Sequence, residues 1–333
     1  MHPYVLNAVV GGVLAGAFLL FWQPRRWWWL VGIPVVAAIG CAIGLGWMPA
    51  RPLDGAPTLE AGTLLAWLAL GFAGRAAGPM LPRSAGVAAV LGGALLGDLA
   101  AIALLSPRAP DGKTAVRMAL VASAGALLSP IGTPVTLLLA SPTELAPLAV
   151  LLALVAWPGG ARVDGTGSVP ASVVLLSTAL LAAAWPDHVL WTLLGGAALC
   201  ALMGRSHLRT VKLPLGGLAW VIGAAVVAWS ARHSGAFAEV LISVEWAQGA
   251  AWLEPAAFGI GALAGMGSEP AGALLAASLV DTTAGGPPPQ TLALAVGVAI
   301  GGLSPIALTG GPWRAAVVPY LLQLLVALVW LMV

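Results

Sequence analysis

The run AGALLSPIGTPVTLLLA, from Ala124 to Ala140, is apolar over most of the length of a membrane span. Its middle is Ser129-Pro130-Ile131-Gly132-Thr133-Pro134. A proline removes a helical donor and clashes with the preceding turn, so two of them beside a glycine break the helix there. Lipid does not satisfy the freed backbone groups. Irregular backbone at membrane depth is therefore buried in protein or lines a watery cavity. A broken helix of this kind points to a transporter's binding site when the other half of the chain has a counterpart. Gly301 to Gly311 (GGLSPIALTGG) supplies one, repeating the Leu-Ser-Pro-Ile core of Leu128 to Ile131.

The composition agrees with a membrane environment. Of 333 residues, 60% are hydrophobic and 8% charged, against about 25% charged in soluble domains. Apolar runs of about 17 to 22 residues recur along the chain, the length a membrane helix needs. The net charge is +2 and the basic residues stand singly or in pairs, so a nucleic-acid partner is not expected. Cys41 and Cys200 lie in apolar runs and read as packing residues. No Walker loop, nucleotide fingerprint or Cys/His cluster occurs, and no histidine partners a serine within the apolar runs. Neither an enzyme nor a cofactor is expected, and no metal beyond a transported cation.

The spans read as 4–22, 29–48 and 61–75, then a glycine-interrupted stretch at 84–105, a polar loop at 106–114, the broken span at 116–140 and a short span at 144–157. The Gly-rich stretch 158–168 (PGGARVDGTGS) reads as a cytoplasmic linker near the midpoint. The second half repeats the plan with 169–185, 187–203 and 214–231, a glycine- and proline-interrupted stretch at 252–283, a broken span at 290–311 and a last span at 314–333. Residues 1–157 and 169–333 thus form two repeats. If 84–105 and 252–283 are re-entrant hairpins, each half crosses the membrane an odd number of times and the halves are inverted. The expected fold is an all-α polytopic membrane protein of about 10 full spans plus 2 hairpins.

Charge tests that topology. With the N-terminus outside, Arg25, Arg26, Arg83, Arg108, Lys113, Arg117, Arg162, Arg205, Arg209, Lys212 and Arg314 are cytoplasmic, 11 of the 14 basic residues. Asp54, Glu60, Glu144, Asp187, Glu239 and Glu245 fall outside. The bias holds only with both hairpins in place. Many tryptophans, Trp157 and Trp185 among them, lie near span ends, as interfacial anchors do.

Asp98 (in ALLGDLAAIALL) and Asp281 (in ALLAASLVDTTAG) are carboxylates inside apolar stretches, each ahead of a broken helix. An intramembrane carboxylate is costly and marks an ion or proton path by default. Desolvation favours the protonated form of such a group and a bound cation the ionised one, which is the minimal chemistry of proton-for-cation exchange. The competing reading of both aspartates is a helix cap at a hairpin tip. Around the breaks, Ser129, Gly132, Thr133, Ser304 and Thr309 offer hydroxyls and backbone groups, and Thr282 and Thr283 stand beside Asp281. Thr136 reads as a ligand or as packing. Glu269 reads as a second proton carrier or as a residue facing a watery vestibule. Arg75 reads as pairing with a carboxylate or snorkelling to the interface.

At these motifs the chain resembles the ion transporter superfamily, which holds NhaD-type sodium/proton antiporters, arsenite permeases and divalent-anion symporters. Residues 121–136 (VASAGALLSPIGTPVT) resemble the family's lead into a Ser/Thr-Pro-Ile-Gly break. Residues 276–283 (AASLVDTT) resemble the Asp-Asn hairpin of the antiporter branch, and Leu95 to Ala100 (LLGDLA) its first-half partner. Here Asp98 precedes Leu99 and Asp281 precedes Thr282, where that branch has asparagine. The resemblance implies a secondary active transporter of the bacterial inner membrane, with a midplane site built from two hairpin tips and two helix breaks. Its expected partners are the bilayer and a transported sodium ion or proton, and a homodimer fits the family. Two alternatives stay open: an anion transporter for a dicarboxylate or oxyanion, and a degenerate member serving as a membrane partner subunit.

Overall fold

The computed structural model describes residues 58–78, 82–130, 132–133, 135–136, 139–205, 255, 257–259, 261–262, 265, 273, 276, 289–301, 312 and 314–332. Among them the secondary structure is helical, with two isolated β-bridges and no strand. The chain divides into two compact units, one of Met1–Ala61 with Gly216–Ser304, the other of Gly62–Leu215 with Pro305–Val333. The 158–168 stretch lies inside the second unit.

That second unit contains α1 (Thr58–Ala73, all but its first turn), α2 (Ala85–Leu96), α3 (Asp98–Leu105), α4 (Gly112–Ala126), α5 (Pro142–Val155), α6 (Val169–Ala184), α7 (Val189–Met203) and α9 (Arg314–Met332). The helix α8 (Pro289–Gly301) belongs to the first unit. Only α9 among the described helices is long and apolar enough to cross a bilayer unaided. The others are apolar but shorter, 12 to 16 residues for α2, α5, α6 and α7.

Start signals are local. Asp111 accepts the Thr114 amide at 2.7 Å, which starts α4 at Gly112, inside the stretch expected to be loop. Pro142 and Pro170 sit in the first turns of α5 and α6, where a missing amide costs nothing. Ser141 donates its amide to Glu144 at 3.2 Å, and Ser168 Oγ accepts from Ala171 at 3.4 Å.

Many large apolar side chains face outward, with Trp191 71% and Leu202 68% exposed, and with Leu154, Leu180, Val318 and Leu325 exposed on other helices. The interior mixes large and small side chains: Trp67, Leu99, Ile102, Met118 and Leu145 are buried beside Ala88, Ala89, Ala100, Ala101, Ala115, Ala119, Ala122 and Ala126. The small residues let helix backbones approach closely.

One end of this unit gathers many helix termini. The 158–168 stretch is an ordered strap there. Ala85 donates to Ala161 O at 2.9 Å, Val163 to Arg83 O at 2.9 Å, Asp164 to Arg108 O at 3.1 Å and Ser168 to Ala76 O at 2.7 Å. Ser168 Oγ also donates to Met203 O. The ends of α1, α3, α5 and α7 and the starts of α2, α4 and α6 therefore lie together. Arg75, Arg83, Arg108, Lys113, Arg117, Arg162 and Arg205 stand at this end. The far ends of α5, α6 and α7 carry Glu144 and Asp187. In the 158–168 stretch, the Thr166 amide and hydroxyl hold Asp164 below the usual carboxylate range.

Across the interior, Gln323 on α9 donates its side-chain amide to Leu152 O on α5 at 3.0 Å and is buried. Such an interhelical bond in an apolar medium contributes about 1 kcal/mol. Gln323→Leu is therefore expected to lower unfolding stability in detergent by about that amount; an unchanged denaturation midpoint would show that the bond carries nothing.

Candidate functional site

The stretch 84–105 is a helical hairpin. Its arms, α2 and α3, are separated by the single residue Gly97, whose φ of 79° and ψ of 162° lie in a region open essentially to glycine alone. A side chain at Gly92 would meet Ala101 and Leu105, so α3 folds back along α2. The arms are about 18 Å and 12 Å long at 1.5 Å per residue, well short of a 30 Å hydrocarbon core. Gly92 and Gly93, which lie in the same glycine-interrupted stretch, stay within α2. They are contact points: Gly92 faces α3, and Gly93 meets the backbone of Ala122 and Ala126 on α4.

The helix α4 ends at Ala126, ahead of the prolines. Leu127, Leu128 and Ser129 donate to carbonyls three residues back, at 3.2, 3.0 and 3.1 Å, and Gly132 donates to Ser129 O at 3.1 Å. Pro130 has no amide to continue the ladder, and the residue before a proline is driven from helical dihedrals, so the last turn tightens. The helix restarts on two threonines. Thr133 Oγ1 accepts the Thr136 amide at 3.0 Å, and Thr136 Oγ1 accepts the Thr133 amide at 3.1 Å. This is reciprocal capping of a new N-terminus, with Leu139 donating to Val135 O beyond it.

Hairpin tip and helix break meet. The Asp98 amide donates to Gly132 O at 3.0 Å. Asp98 is fully buried, as are its α3 neighbours Leu99 and Ala100, and its Oδ1 accepts the Leu99 amide at 2.6 Å. The carboxylate thus sits at the N-terminus of α3, where the helix dipole favours negative charge. The opposite end of α3 is met by cations. Arg75 Nε donates to Ala103 O at 2.7 Å, and Arg108 donates to Leu104 O at 2.9 Å and to the carbonyls of Arg75 and Ala77. Arg75 also lies over the Phe72 ring, 4.2 Å from its centroid. Among the described residues it forms no ion pair with a carboxylate; its guanidinium is held by the Ala103 carbonyl and the Phe72 ring. Burial pushes the Arg108 guanidinium down, and Asp164 partly offsets this. An eight-residue helix is therefore complemented at both ends, each contact contributing about 0.3–2 kcal/mol.

Of the expected site residues, Asp98, Ser129, Gly132 and Thr133 are brought together, and all four are buried. Thr136 joins them as the capping partner of Thr133. Asp281, Thr282, Thr283, Ser304, Thr309 and Glu269 lie outside the described residues. Sequence reasoning missed two contributors. The Trp67 indole on α1 lies 3.6 Å from where a Gly97 Cβ would stand. Arg108 ties the end of α3, through Leu104 O, to the carbonyls of Arg75 and Ala77 some thirty positions away, and no local pattern marks those. Among the described residues no cluster of His, Cys, Asp or Glu has the makings of a metal site.

The packing beneath the site recurs in the first unit. In the second unit, Gly93 abuts Ala122 and Ala126, and Gly125 abuts Val90. In the first, Gly261 abuts Leu294 and Val298, and Gly297 abuts Phe258 and Ala262. The spacings are the same: three residues from Val90 to Gly93 and from Phe258 to Gly261, three from Ala122 to Gly125 and from Leu294 to Gly297. Gly261 follows Gly93 by 168 positions, and Gly297 follows Gly125 by 172. No family model matches the chain, and neither does any curated protein.

Proposed function

We propose that the chain is a polytopic membrane protein built from two inverted repeats, and that it exchanges a cation, sodium in the first instance, for protons. The observation that carries this is the fully buried Asp98 at a hairpin tip, held to a broken helix by its amide bond to Gly132 O. A carboxylate taken so far from water has a use for charge. It takes up a proton on one side of the membrane and releases it to water on the other as a cation binds, one positive charge replacing another at the same oxygens. The hydroxyl-bearing Ser129 and Thr133 and the backbone of Gly132 border it. The outward apolar surface, the basic end and the hairpin arms too short to span all support the membrane topology. The matched glycine spacing supports the repeat. A carboxylate supports a cation over the anion alternative, because it repels a dicarboxylate or oxyanion.

The second half needs its own titrating group, and the repeat makes the choice testable. The 168-residue offset carries Gly97 onto Gly265. Glu269 is then four positions on, whereas Asp281, the choice from motif resemblance, is sixteen positions on. In proteoliposomes loaded with a pH gradient, sodium or lithium is expected to drive proton efflux. Glu269→Gln and Asp281→Asn are compared side by side, and the variant that loses flux names the second carboxylate. Absence of flux across a panel of cations, with uptake of a labelled dicarboxylate instead, would sink the antiport reading.

A further inference from the structure

The basic end of the second unit holds a second feature that transport does not use. Arg83 and Arg162 are exposed and stand on adjacent, paired stretches of backbone: Ser84 bridges Arg162, and Val163 donates to Arg83 O at 2.9 Å. Arg117, on the first turns of α4, donates from Nη1 to Trp157 O at 3.5 Å. The Trp157 ring lies against Gly86, two residues from Ser84. Three guanidinium-bearing residues and one interfacial tryptophan thus converge where α2 begins and α5 ends. The Arg117 Nε is buried and has no hydrogen-bond partner among the described residues. A donor of that kind, left unmatched, is costly. Below Arg83 the exposed apolar residues Val87, Leu91 and Leu95 follow at four-residue steps along α2, and Leu154 stands exposed one turn before Trp157. Cations above an apolar track fit an amphiphile with an anionic head.

We propose that Arg83, Arg117 and Arg162 bind the phosphodiester headgroup of an anionic phospholipid, with an acyl chain along Val87, Leu91 and Leu95. Guanidinium forks match phosphate oxygens geometrically, and basic pockets at the cytoplasmic ends of helices are suited to such headgroups. The inference rests on the membrane topology above and not on transport.

The test uses the full chain in detergent micelles, with binding of dioleoylphosphatidylglycerol followed by native mass spectrometry. Dioleoylphosphatidylcholine is the neutral comparison and inorganic phosphate the competitor. Expected results are saturable binding of phosphatidylglycerol at least about tenfold tighter than of phosphatidylcholine, and a loss of about fivefold for each guanidinium removed. Arg117→Gln reads the buried donor. The exposed pair Arg83→Gln with Arg162→Gln keeps the test sound if Arg117→Gln disturbs folding. Arg205→Gln removes the same charge from the end of α7 and is expected to change nothing. Equal binding of the two lipids would overturn the proposal. So would an equal loss in Arg205→Gln, which would mean diffuse surface charge, or displacement by millimolar phosphate, which would mean a small-anion site. Recovery of the chain from the soluble fraction without detergent would remove the membrane reading, and the lipid assignment with it.

Discussion

Asp98→Asn in proteoliposomes is expected to abolish the proposed cation-driven proton flux, bringing the pH change down to that of empty vesicles, while the protein stays folded. The structure separates these two effects. The bond that joins hairpin tip to helix break comes from the Asp98 backbone amide to Gly132 O, so a side-chain change leaves it in place. Asparagine is nearly isosteric and its amide oxygen still accepts from Leu99, as Oδ1 does at 2.6 Å. What asparagine lacks is the ability to trade a proton for a cation. The stabilisation of negative charge at the α3 N-terminus is also lost, about 0.3–2 kcal/mol, against the loss of a whole exchange reaction. Asp98→Glu is the companion variant. It keeps the charge but adds a methylene in a position with no solvent exposure, where overpacking costs about 1–3 kcal/mol. It is expected to retain weak flux in a less stable protein. If Asp98→Asn transports like wild type, Asp98 is a helix cap and nothing more.

The folding of the site region was readable wherever the residue type admits one use. Pro130 and Pro134 cannot continue a ladder, so the break at 129–134 follows from chemistry alone. The hairpin at 84–105 is expected from its glycine interruptions and from a charge bias that holds only with both hairpins in place; its length alone equals that of a plain span. Glycines are harder, because the same residue serves a turn and a close approach. Gly92, Gly93 and Gly97 look alike in sequence. Only Gly97 has a positive φ, while the other two let helices touch. The 158–168 stretch shows the same ambiguity. Its glycines suggest a free linker, yet its amides and carbonyls pair with residues 76, 83, 85 and 108, partners 56 to 92 positions away. Long-range hydrogen bonds of this kind leave no periodic mark. For the same reason Gln323 gave no warning of its bond to Leu152, 171 positions away.

The threonines of the break teach a related lesson. Thr133 and Thr136 are attractive as ion ligands on residue type. In the fold each hydroxyl accepts the other's amide, at 3.0 and 3.1 Å. Their first duty is to restart a helix whose opening amides have lost their partners at the break. In the proposed exchange that places the burden of charge on Asp98 and makes the position of the hairpin tip the quantity on which exchange would depend.

Gly97→Ala tests that position, and its expected effect is as large as that of the carboxylate itself although no charge changes. A residue with a Cβ at φ 79° and ψ 162° costs about 1–3 kcal/mol in backbone strain. The new methyl group would stand 2.7 Å from Gly132 O, the carbonyl that receives the Asp98 amide, and 3.6 Å from the Trp67 ring. The first contact is with backbone and has no rotamer to escape into. The hairpin tip must therefore move away from the break, and the Asp98–Gly132 bond goes with it. The expected result is a destabilisation of about 2–5 kcal/mol in detergent unfolding, with flux lost even in conditions where the protein remains folded. Gly92→Ala, five residues earlier, is the discriminating control. Its methyl would meet the flexible Leu105 side chain at 3.1 Å and the Ala101 Cβ at 3.3 Å. That crowding is offset by the better helix propensity of alanine, about 1 kcal/mol. Gly92→Ala should unfold close to wild type and transport. Equal behaviour of the two variants would mean that the hairpin turns elsewhere than at Gly97. Loss of flux in Gly97→Ala alone would tie exchange to the register between Asp98 and the broken helix.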